Sequence, residues 1–180
     1  MYSRIKPPAQ CSAAELESFY RLLLKDGKVE KRGLMNGIRR AKLLAFHYEN
    51  KTLAGIAAIK SPSKSYRQNM FMNARTSENP DKYILELGYA VTLEKYSGRH
   101  ICSSLVEKLI SSFPSWNMYA TSETTNTRML KILERNGFQK TGEPYKGSLQ
   151  STGGEEYFVQ LFTRIGRPIH SQNLLKHNGA

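Results

Sequence analysis

A carboxylate lies in the middle of the most strand-like stretch of the chain. Residues 83–92 read Tyr-Ile-Leu-Glu-Leu-Gly-Tyr-Ala-Val-Thr, which predicts a buried strand, with Gly88 as a candidate position for a bulge. An ionised carboxyl inside a sheet is costly unless it is hydrogen-bonded or faces a cleft. Glu86 is therefore the first candidate for chemistry. The alternative is a structural salt bridge from Glu86 to an arginine within the sheet.

A second candidate site lies at the start of the helix that follows. Beyond the turn at residues 93–98, the run 99–113 carries apolar residues at helical spacing: Ile101, Leu105, Leu109 and Phe113. The first N–H groups of a helix lack intrahelical partners, and with the helix dipole they form an anion site suited to a phosphate. The alternative is a plain strand-to-helix connection with nothing bound.

Composition limits the class of protein. The chain has 180 residues with 39% hydrophobic content, which favours one domain with a core that needs no disulfide or metal. Two cysteines and the lack of an apolar run of about 20 residues favour a cytoplasmic protein without a membrane segment. The pair His100 and Cys102 is too short a pattern for a zinc site, so no metal is expected. The net charge of +12 predicts attraction to polyanions, with a solvated basic surface as the alternative.

The remaining elements are predicted from periodicity and turn residues. A strand, two helices and a hairpin come first, at residues 2–6, 12–27, 29–40, 42–48 and 52–60. A long connection follows at 61–82, with a helical turn near residues 65–74. Beyond the central unit we expect a strand at 116–120, a helix that ends at Asn136 and Gly137, and strands at 139–145 and 156–164.

This order of elements and three motifs resemble the GNAT superfamily of acyl-CoA-dependent N-acyltransferases, over nearly all of residues 1–164. Residues 86–91, Glu-Leu-Gly-Tyr-Ala-Val, resemble the central strand of that family. Residues 96–105, Tyr-Ser-Gly-Arg-His-Ile-Cys-Ser-Ser-Leu, resemble its acetyl-CoA pyrophosphate loop. The segment from Asn126 to Phe138 resembles its asparagine-to-Gly-Phe region.

The resemblance implies an α+β fold with a mixed, mainly antiparallel sheet. About six or seven strands would be flanked by about four helices, with a splay between the central strand and the strand after it. Residues 1–164 would form a single domain. Residues 165–180 are basic and lack strong periodicity, so we expect a flexible C-terminal tail there.

The resemblance also implies an activity, the transfer of an acetyl group from acetyl-CoA to a primary amine by direct attack in a ternary complex. Glu86 would be the general base. The central strand would pair with the pantetheine, and the turn before the helix would bind the diphosphate. The implied cofactor-binding residues are Ala90, Val91, Leu93, Gly98, Arg99, His100, Ile101, Cys102, Ser103 and, from the far side of the pantetheine, Asn126.

Two departures from the family pattern affect these expectations. The loop has Ser97, His100 and Cys102 where the family usually has arginine or glutamine, glycine, and glycine or alanine, so His100 and Cys102 require helical dihedrals. Leu133 stands where the family often has a tyrosine that protonates the departing thiolate. Tyr89 and Tyr145 are the candidate replacements. The alternatives are solvent as the proton donor and a chain that is not a standard catalyst.

A different functional class competes with the enzyme. The charge of +12, the basic tail and the altered loop favour a protein on the same scaffold that binds or modifies nucleic acid, for example one directed at tRNA. The expected partners are acetyl-CoA and an unidentified amine acceptor, with nucleic acid as a further candidate. No sequence pattern identifies the acceptor or the oligomeric state, and a homodimer remains open.

Overall fold

The computed structural model describes residues 1–147 and 156–167, which form seven strands and five α-helices. The strands are β1 (Tyr2–Lys6), β2 (Leu43–Glu49), β3 (Thr52–Lys60), β4 (Leu85–Thr92), β5 (Met118–Glu123), β6 (Gln139–Lys146) and β7 (Phe158–Arg164). The helices are α1 (Ala13–Asp26), α2 (Leu34–Arg39), α3 (Lys64–Asn73), α4 (Ile101–Ser111) and α5 (Thr127–Arg135). The sequence predicts only a helical turn where α3 forms a ten-residue helix.

The seven strands form one mixed sheet in the order β1-β2-β3-β4-β5-β7-β6. Neighbouring strands are antiparallel except for β4 and β5, which are parallel. The predicted α+β fold with a mainly antiparallel sheet is therefore confirmed.

The two parallel strands separate soon after they meet. Leu85–Leu87 of β4 pair with Met118–Ala120 of β5, and the register ends there. Each strand then continues for several residues, β4 to Thr92 and β5 to Glu123. The predicted splay between the central strand and the next one is confirmed, and it leaves backbone groups of β4 facing a gap.

Helices cover both faces of the sheet. Leu85 and Leu87 of β4 point into a core with α4 and α5. The opposite face packs against α1 and α2 near β2 and β3, and against α3 near β5 and β7. Because successive strand residues alternate between faces, Glu86 lies on the side of α1, α2 and α3.

A β-bulge interrupts β4 one residue later than the sequence suggests. Val91 pairs with Ile56 and Gly88 with Ala58, so two residues of β4 lie opposite one residue of β3. Tyr89 takes the bulged position with φ of +54°, whereas Gly88 has no positive φ. The bulge reverses the alternation, so Tyr89 lies on the same face as Glu86 and packs with the α1 core.

The described part of the C-terminal segment is bonded to the body of the fold. The Gly166 N–H donates to Asn117 Oδ1 at 2.8 Å, and the Arg167 N–H donates to the Pro114 carbonyl at 2.8 Å. The rest of the predicted tail, residues 168–180, lies outside the described residues. Among the helices that the structure describes, none has the length and apolar character needed to cross a membrane.

Candidate active site

A cleft of about 920 Å³ lies where β4 and β5 separate. Glu86 and Tyr89 of β4 line it together with residues of α1, α2 and α3 on one face of the sheet, and Asn126 and Leu133 line it from the α5 side. The cleft therefore passes through the gap in the sheet and reaches both helical layers. Its volume is in the range of small-molecule and cofactor sites.

Glu86 is buried at the bottom of this cleft, with 3% of its surface exposed. Its Oε1 accepts a hydrogen bond from Lys60 Nζ at 2.7 Å, and its Oε2 accepts one from the Tyr119 hydroxyl at 3.2 Å. The carboxylate is thus fixed at both oxygens while it lines an open cleft. Glu86 therefore forms a salt bridge, as the alternative interpretation of the sequence expected, but its partner is Lys60 and not an arginine.

Lys60, the last residue of β3, is a part of the site that the sequence reasoning missed. Its ammonium lies 4.7 Å from the centre of the Tyr89 ring and 5.5 Å from that of Tyr66. Burial alone lowers the pKa of Lys60, but the charge of Glu86 and the hydrogen bond to Glu86 raise it above the ordinary value. Lys60 is therefore an ammonium at neutral pH. The available signal was a lysine that ends a strand of small apolar residues.

Gly88 makes room for that lysine. A Cβ at Gly88 would lie 3.0 Å from Lys60 Cδ and 3.8 Å from Lys60 Nζ. Gly88, which the sequence suggested as a bulge position, therefore leaves space for the Lys60 side chain to lie over β4 and contact Glu86.

Two phenols beside Glu86 were also missed. Tyr119 is fully buried on β5, and burial together with the nearby Glu86 carboxylate raises its pKa. Tyr66 lies on α3, where the charge of Glu86 and then burial raise its pKa to about 12. Both hydroxyls keep their protons at neutral pH. Tyr119 donates its proton to Glu86, and Tyr66, which lines the cleft, can donate a hydrogen bond into it.

The two predicted proton donors line the same cleft in different settings. Tyr89 lies beneath the Lys60 ammonium with its hydroxyl toward α2, where a Cβ on Gly37 would come within 2.7 Å of it. Tyr145 donates its hydroxyl to Met70 Sδ at 3.3 Å. Burial is the main reason that the pKa of each phenol is raised. Leu133, buried on α5 in the core of the other face of the sheet, has no proton to give.

The first backbone N–H groups of α4 have no side-chain cap from the part of the chain that the structure describes. His100 is the N-cap residue, and no side chain of the described residues accepts a hydrogen bond from the first helical N–H groups, those of Ile101, Cys102 and Ser103. The Ser103 hydroxyl instead donates to the His100 carbonyl at 2.9 Å. Binding of an anion by these amides stays a prediction.

The turn before α4 has a different conformation from the expected one. His100 has φ of +58°, in the left-handed region, and not the helical dihedrals that the sequence analysis required. Gly98 also has a positive φ of +80°. The side chains of His100 and Arg99 are exposed. At Cys102 the dihedrals are helical, and burial raises the pKa of its thiol to about 11.

Basic groups surround this turn. Arg128 Nη1 of α5 donates to Ser97 Oγ at 2.7 Å, which joins α5 to the turn. The Arg99 guanidinium lies 5.4 Å from the centre of the Tyr96 ring. Positive charge beside unsealed helical amides is the environment that binds a diphosphate.

Of the remaining predicted cofactor contacts, Ala90, Val91 and Asn126 line the cleft, whereas Leu93 does not. Ala90 and Val91 line the cleft on the part of β4 beyond its pairing with β5. Leu93 does not fit the predicted pairing, because its N–H donates to the Ala54 carbonyl at 2.9 Å and its carbonyl accepts from the Tyr96 N–H at 2.8 Å. Asn126 lines the cleft and caps α5, with Oδ1 accepting from the Met129 N–H at 3.2 Å.

The donor set suits an extended, anionic ligand. An unpaired strand edge can accept a ligand that carries amide groups, and the amides of α4 can bind its phosphates. In residues 1–147 and 156–167, no group of three or more histidine, cysteine, aspartate or glutamate side chains is arranged to hold a metal ion.

Comparisons with known proteins find similarity in structure only. No protein-family model matches the sequence, and no curated protein matches it significantly. The crystal structure of Escherichia coli ElaA matches 91% of this chain and 99% of that chain, with a TM-score of 0.66 and 11% identity. The structure of yncA from Salmonella typhimurium, solved with its cofactor acetyl-CoA, matches 97% of this chain and 98% of that chain, with a TM-score of 0.63 and 16% identity. A GNAT-family acetyltransferase from Streptococcus agalactiae matches 92% and 96% of the two chains, with a TM-score of 0.63 and 16% identity.

Proposed function

We propose that this chain, which has the fold of the GNAT acetyltransferases, is an N-acetyltransferase that moves an acetyl group from acetyl-CoA to a primary amine. The transfer is a direct attack within a ternary complex. The observation that carries the proposal is the cleft through the splayed sheet, with Glu86 at its bottom and the unsealed first turn of α4 available to bind a diphosphate.

The chain binds the donor with backbone groups. The amides of Ile101, Cys102 and Ser103 hold the diphosphate, and the free edge of β4 at Ala90 and Val91 holds the pantetheine. Acetyl-CoA, when bound, supplies the acetyl group as a thioester. A backbone N–H near the bulge of β4 polarises the carbonyl, a contribution of roughly 3 kcal/mol in comparable oxyanion sites.

Glu86 takes the proton from the acceptor. Lys60 Nζ, 2.7 Å from Glu86 Oε1, marks the position that an acceptor ammonium occupies once the lysine side chain has moved aside. A positioned base contributes about 10²- to 10⁴-fold in rate. Tyr89 and Tyr145 are the proposed proton donors to the leaving thiolate, because both line the cleft and both keep their protons at neutral pH.

Two measurements test the proposal. Calorimetry should detect acetyl-CoA binding, and thiol release with a broad panel of amines should identify acceptors. Glu86→Gln should lower turnover by about 10²- to 10⁴-fold and leave the Kd for acetyl-CoA nearly unchanged, because Glu86 does not contact the diphosphate turn. Failure of the wild-type protein to bind acetyl-CoA would overturn the proposal.

A nucleic-acid-directed activity is the second candidate. The exposed side of α5 presents Arg128, Lys131 and Arg135 at helical spacing, close to the diphosphate turn through the contact of Arg128 with Ser97. Such a basic stripe attracts phosphate backbones. RNA binding that weakens steeply with salt, and that the double variant K131E/R135E abolishes, would support this function. Binding that is indifferent to salt would contradict it.

A further inference from the structure

We propose that Lys60 is itself an acetyl acceptor, so that the protein acetylates its own active-site lysine. The proposal rests on the acetyltransferase function proposed above and assigns a modification site within the same cleft.

The first argument is the contact with the base. Lys60 Nζ donates to Glu86 Oε1 at 2.7 Å, and Glu86 is the group proposed to remove the acceptor proton. An amine held at hydrogen-bond distance from the base has the geometry that general base catalysis requires. Lys60 has this geometry in the protein without any acceptor.

The second argument is the place of the amine in the cleft. Lys60 Nζ lies 3.8 Å from the position that a Cβ on Gly88 would take, beside the bulge of β4 and one residue beyond the last pairing of β4 with β5. The thioester carbonyl is expected at this bulge. Because the amine is tethered there, the attack is intramolecular once the donor is bound, which raises its effective concentration greatly.

The third argument is selectivity among the lysines of the cleft. Lys28 and Lys146 also line it, but their side chains are 51% and 63% exposed, and they pair with Glu123 and Glu156. The Lys60 side chain is only 17% exposed and pairs with Glu86. Of these three amines, Lys60 is the one that contacts the proposed base.

The reaction balances without a further reagent. Glu86 removes a proton from the Lys60 ammonium, and the freed electron pair forms the C–N bond with the thioester carbonyl carbon. The C–S bond breaks as the nitrogen gives up its second proton, the leaving thiolate takes up that proton, and Lys60 becomes an amide. Glu86 then releases the first proton to solvent. The ammonium form predominates at neutral pH, so transfer of a proton from Lys60 to Glu86 must precede the attack.

The modification changes the site that carries it. An acetylated Lys60 has no positive charge, so Glu86 Oε1 loses its ion pair and retains at most one hydrogen bond from the new amide. An external ammonium can then approach Glu86 without displacing a competing cation.

The test uses the full chain with acetyl-CoA and no amine acceptor. Intact mass spectrometry should show the gain of a single acetyl group, and peptide mapping should place it on Lys60 ahead of Lys28 and Lys146. Glu86→Gln should slow labelling of Lys60 by about 10²-fold. Lys60→Arg should remove the label, and Lys146→Arg, the matched control, should keep it at the wild-type rate.

Several results would overturn the proposal. Circular dichroism first establishes that each variant is folded, and acetyl phosphate serves as a donor that lacks the nucleotide. The proposal fails if Lys60 stays unmodified, if Glu86→Gln is labelled as fast as wild type, or if acetyl phosphate labels Lys60 equally well. If acetyl-CoA binds and external amines are acetylated while Lys60 is not, only this inference fails. If calorimetry detects no acetyl-CoA binding, the acetyltransferase function fails with it.

Discussion

Tyr119 and Glu86 lie directly opposite each other in the parallel pair of β4 and β5, and the Tyr119 hydroxyl donates to Glu86 Oε2 at 3.2 Å. Lys60 contacts the other oxygen of the same carboxylate. The orientation of Glu86 is thus set by the two strands that flank β4, so a change in either partner should alter the chemistry of the cleft.

Tyr119→Phe should lower kcat while leaving the KM for acetyl-CoA unchanged, because it frees Glu86 Oε2 without touching the diphosphate turn. The loss of a buried hydrogen bond to a carboxylate should also lower the free energy of unfolding by about 1.5–3 kcal/mol. Steady-state kinetics across pH and urea denaturation measure the two effects. Tyr83→Phe is the matched control, since Tyr83 is also buried and donates to Glu78 Oε2 at 3.0 Å. If Tyr83→Phe changed the kinetics as much as Tyr119→Phe, Tyr119 would have no specific role in the site.

Arg128→Ala should weaken acetyl-CoA binding by about tenfold, or 1.4 kcal/mol, since its guanidinium is held beside the diphosphate turn by Ser97. Arg135→Ala on the same helix should have little effect, because Arg135 lies two turns away. Calorimetric Kd values for acetyl-CoA at low and high salt distinguish a local contact of Arg128 from an effect of general positive charge. Equal losses in both variants would show that only the general positive charge matters.

Glu15→Gln should reduce stability at neutral pH more than at acid pH. Lys6 donates to both Glu15 oxygens at 2.7 and 2.8 Å, and this contact, followed by the Ser12 N–H, lowers the pKa of Glu15 below its ordinary 4.5. A lowered carboxyl pKa gives stabilisation that is fully present above pH 4.5 and is lost as the pH falls through the folded-state pKa.

The expected loss for Glu15→Gln is about 1 kcal/mol at pH 7, shrinking toward pH 3, as urea denaturation at each pH would measure. Glu17→Gln is the control on the same helix, since the exposed pair of Glu17 with Arg21 should contribute no more than about 0.5 kcal/mol. A loss for Glu15→Gln that does not change with pH would contradict the assignment.

Gly142→Ala should destabilise the protein far more than Gly27→Ala. Both glycines have positive φ, +66° and +74°, so an alanine costs about 1–2 kcal/mol at either position. At Gly142 the new Cβ would also lie 2.0 Å from the Ala74 carbonyl oxygen, whereas the space around Gly27 is open. The total loss at Gly142 should exceed 3 kcal/mol, roughly. Thermal unfolding compares the two variants, and equal losses would mean that the contact of β6 with α3 is easily displaced.

Local signals predicted the elements whose ends are marked in the sequence. The capping box of Ser12 and Glu15 and the left-handed Gly27 set the bounds of α1, and both are present in the structure. The apolar run around Glu86 predicted β4 because such a run fits a strand buried on both faces. In α3 only Arg67 and Phe71 are buried, so its apolar face is too narrow to give a clear helical period.

The contacts of Glu86 could not be predicted from the sequence because they depend on the register between strands that are distant in the chain. Lys60 and Glu86 are paired across β3 and β4, and that pairing depends on a bulge at Tyr89, which Gly88 indicated only to within one residue. Without the bulge, alternation would place Tyr89 on the face opposite Glu86. The sequence singled out Glu86 by its charge, but its partners Lys60 and Tyr119 come from strands whose alignment only the folded sheet defines.

The cleft at the gap beyond Leu87 is lined from both helical layers, by residues of α1, α2 and α3 on one side and by Asn126 and Leu133 on the side of α5. In the proposed function, a donor on the side of α5 and an acceptor on the side of α1 and α3 can meet in this cleft without passing each other. The spent thiol and the new amide can likewise leave in opposite directions. An acceptor as large as a folded chain therefore needs to insert only one amine, while its bulk stays outside the sheet.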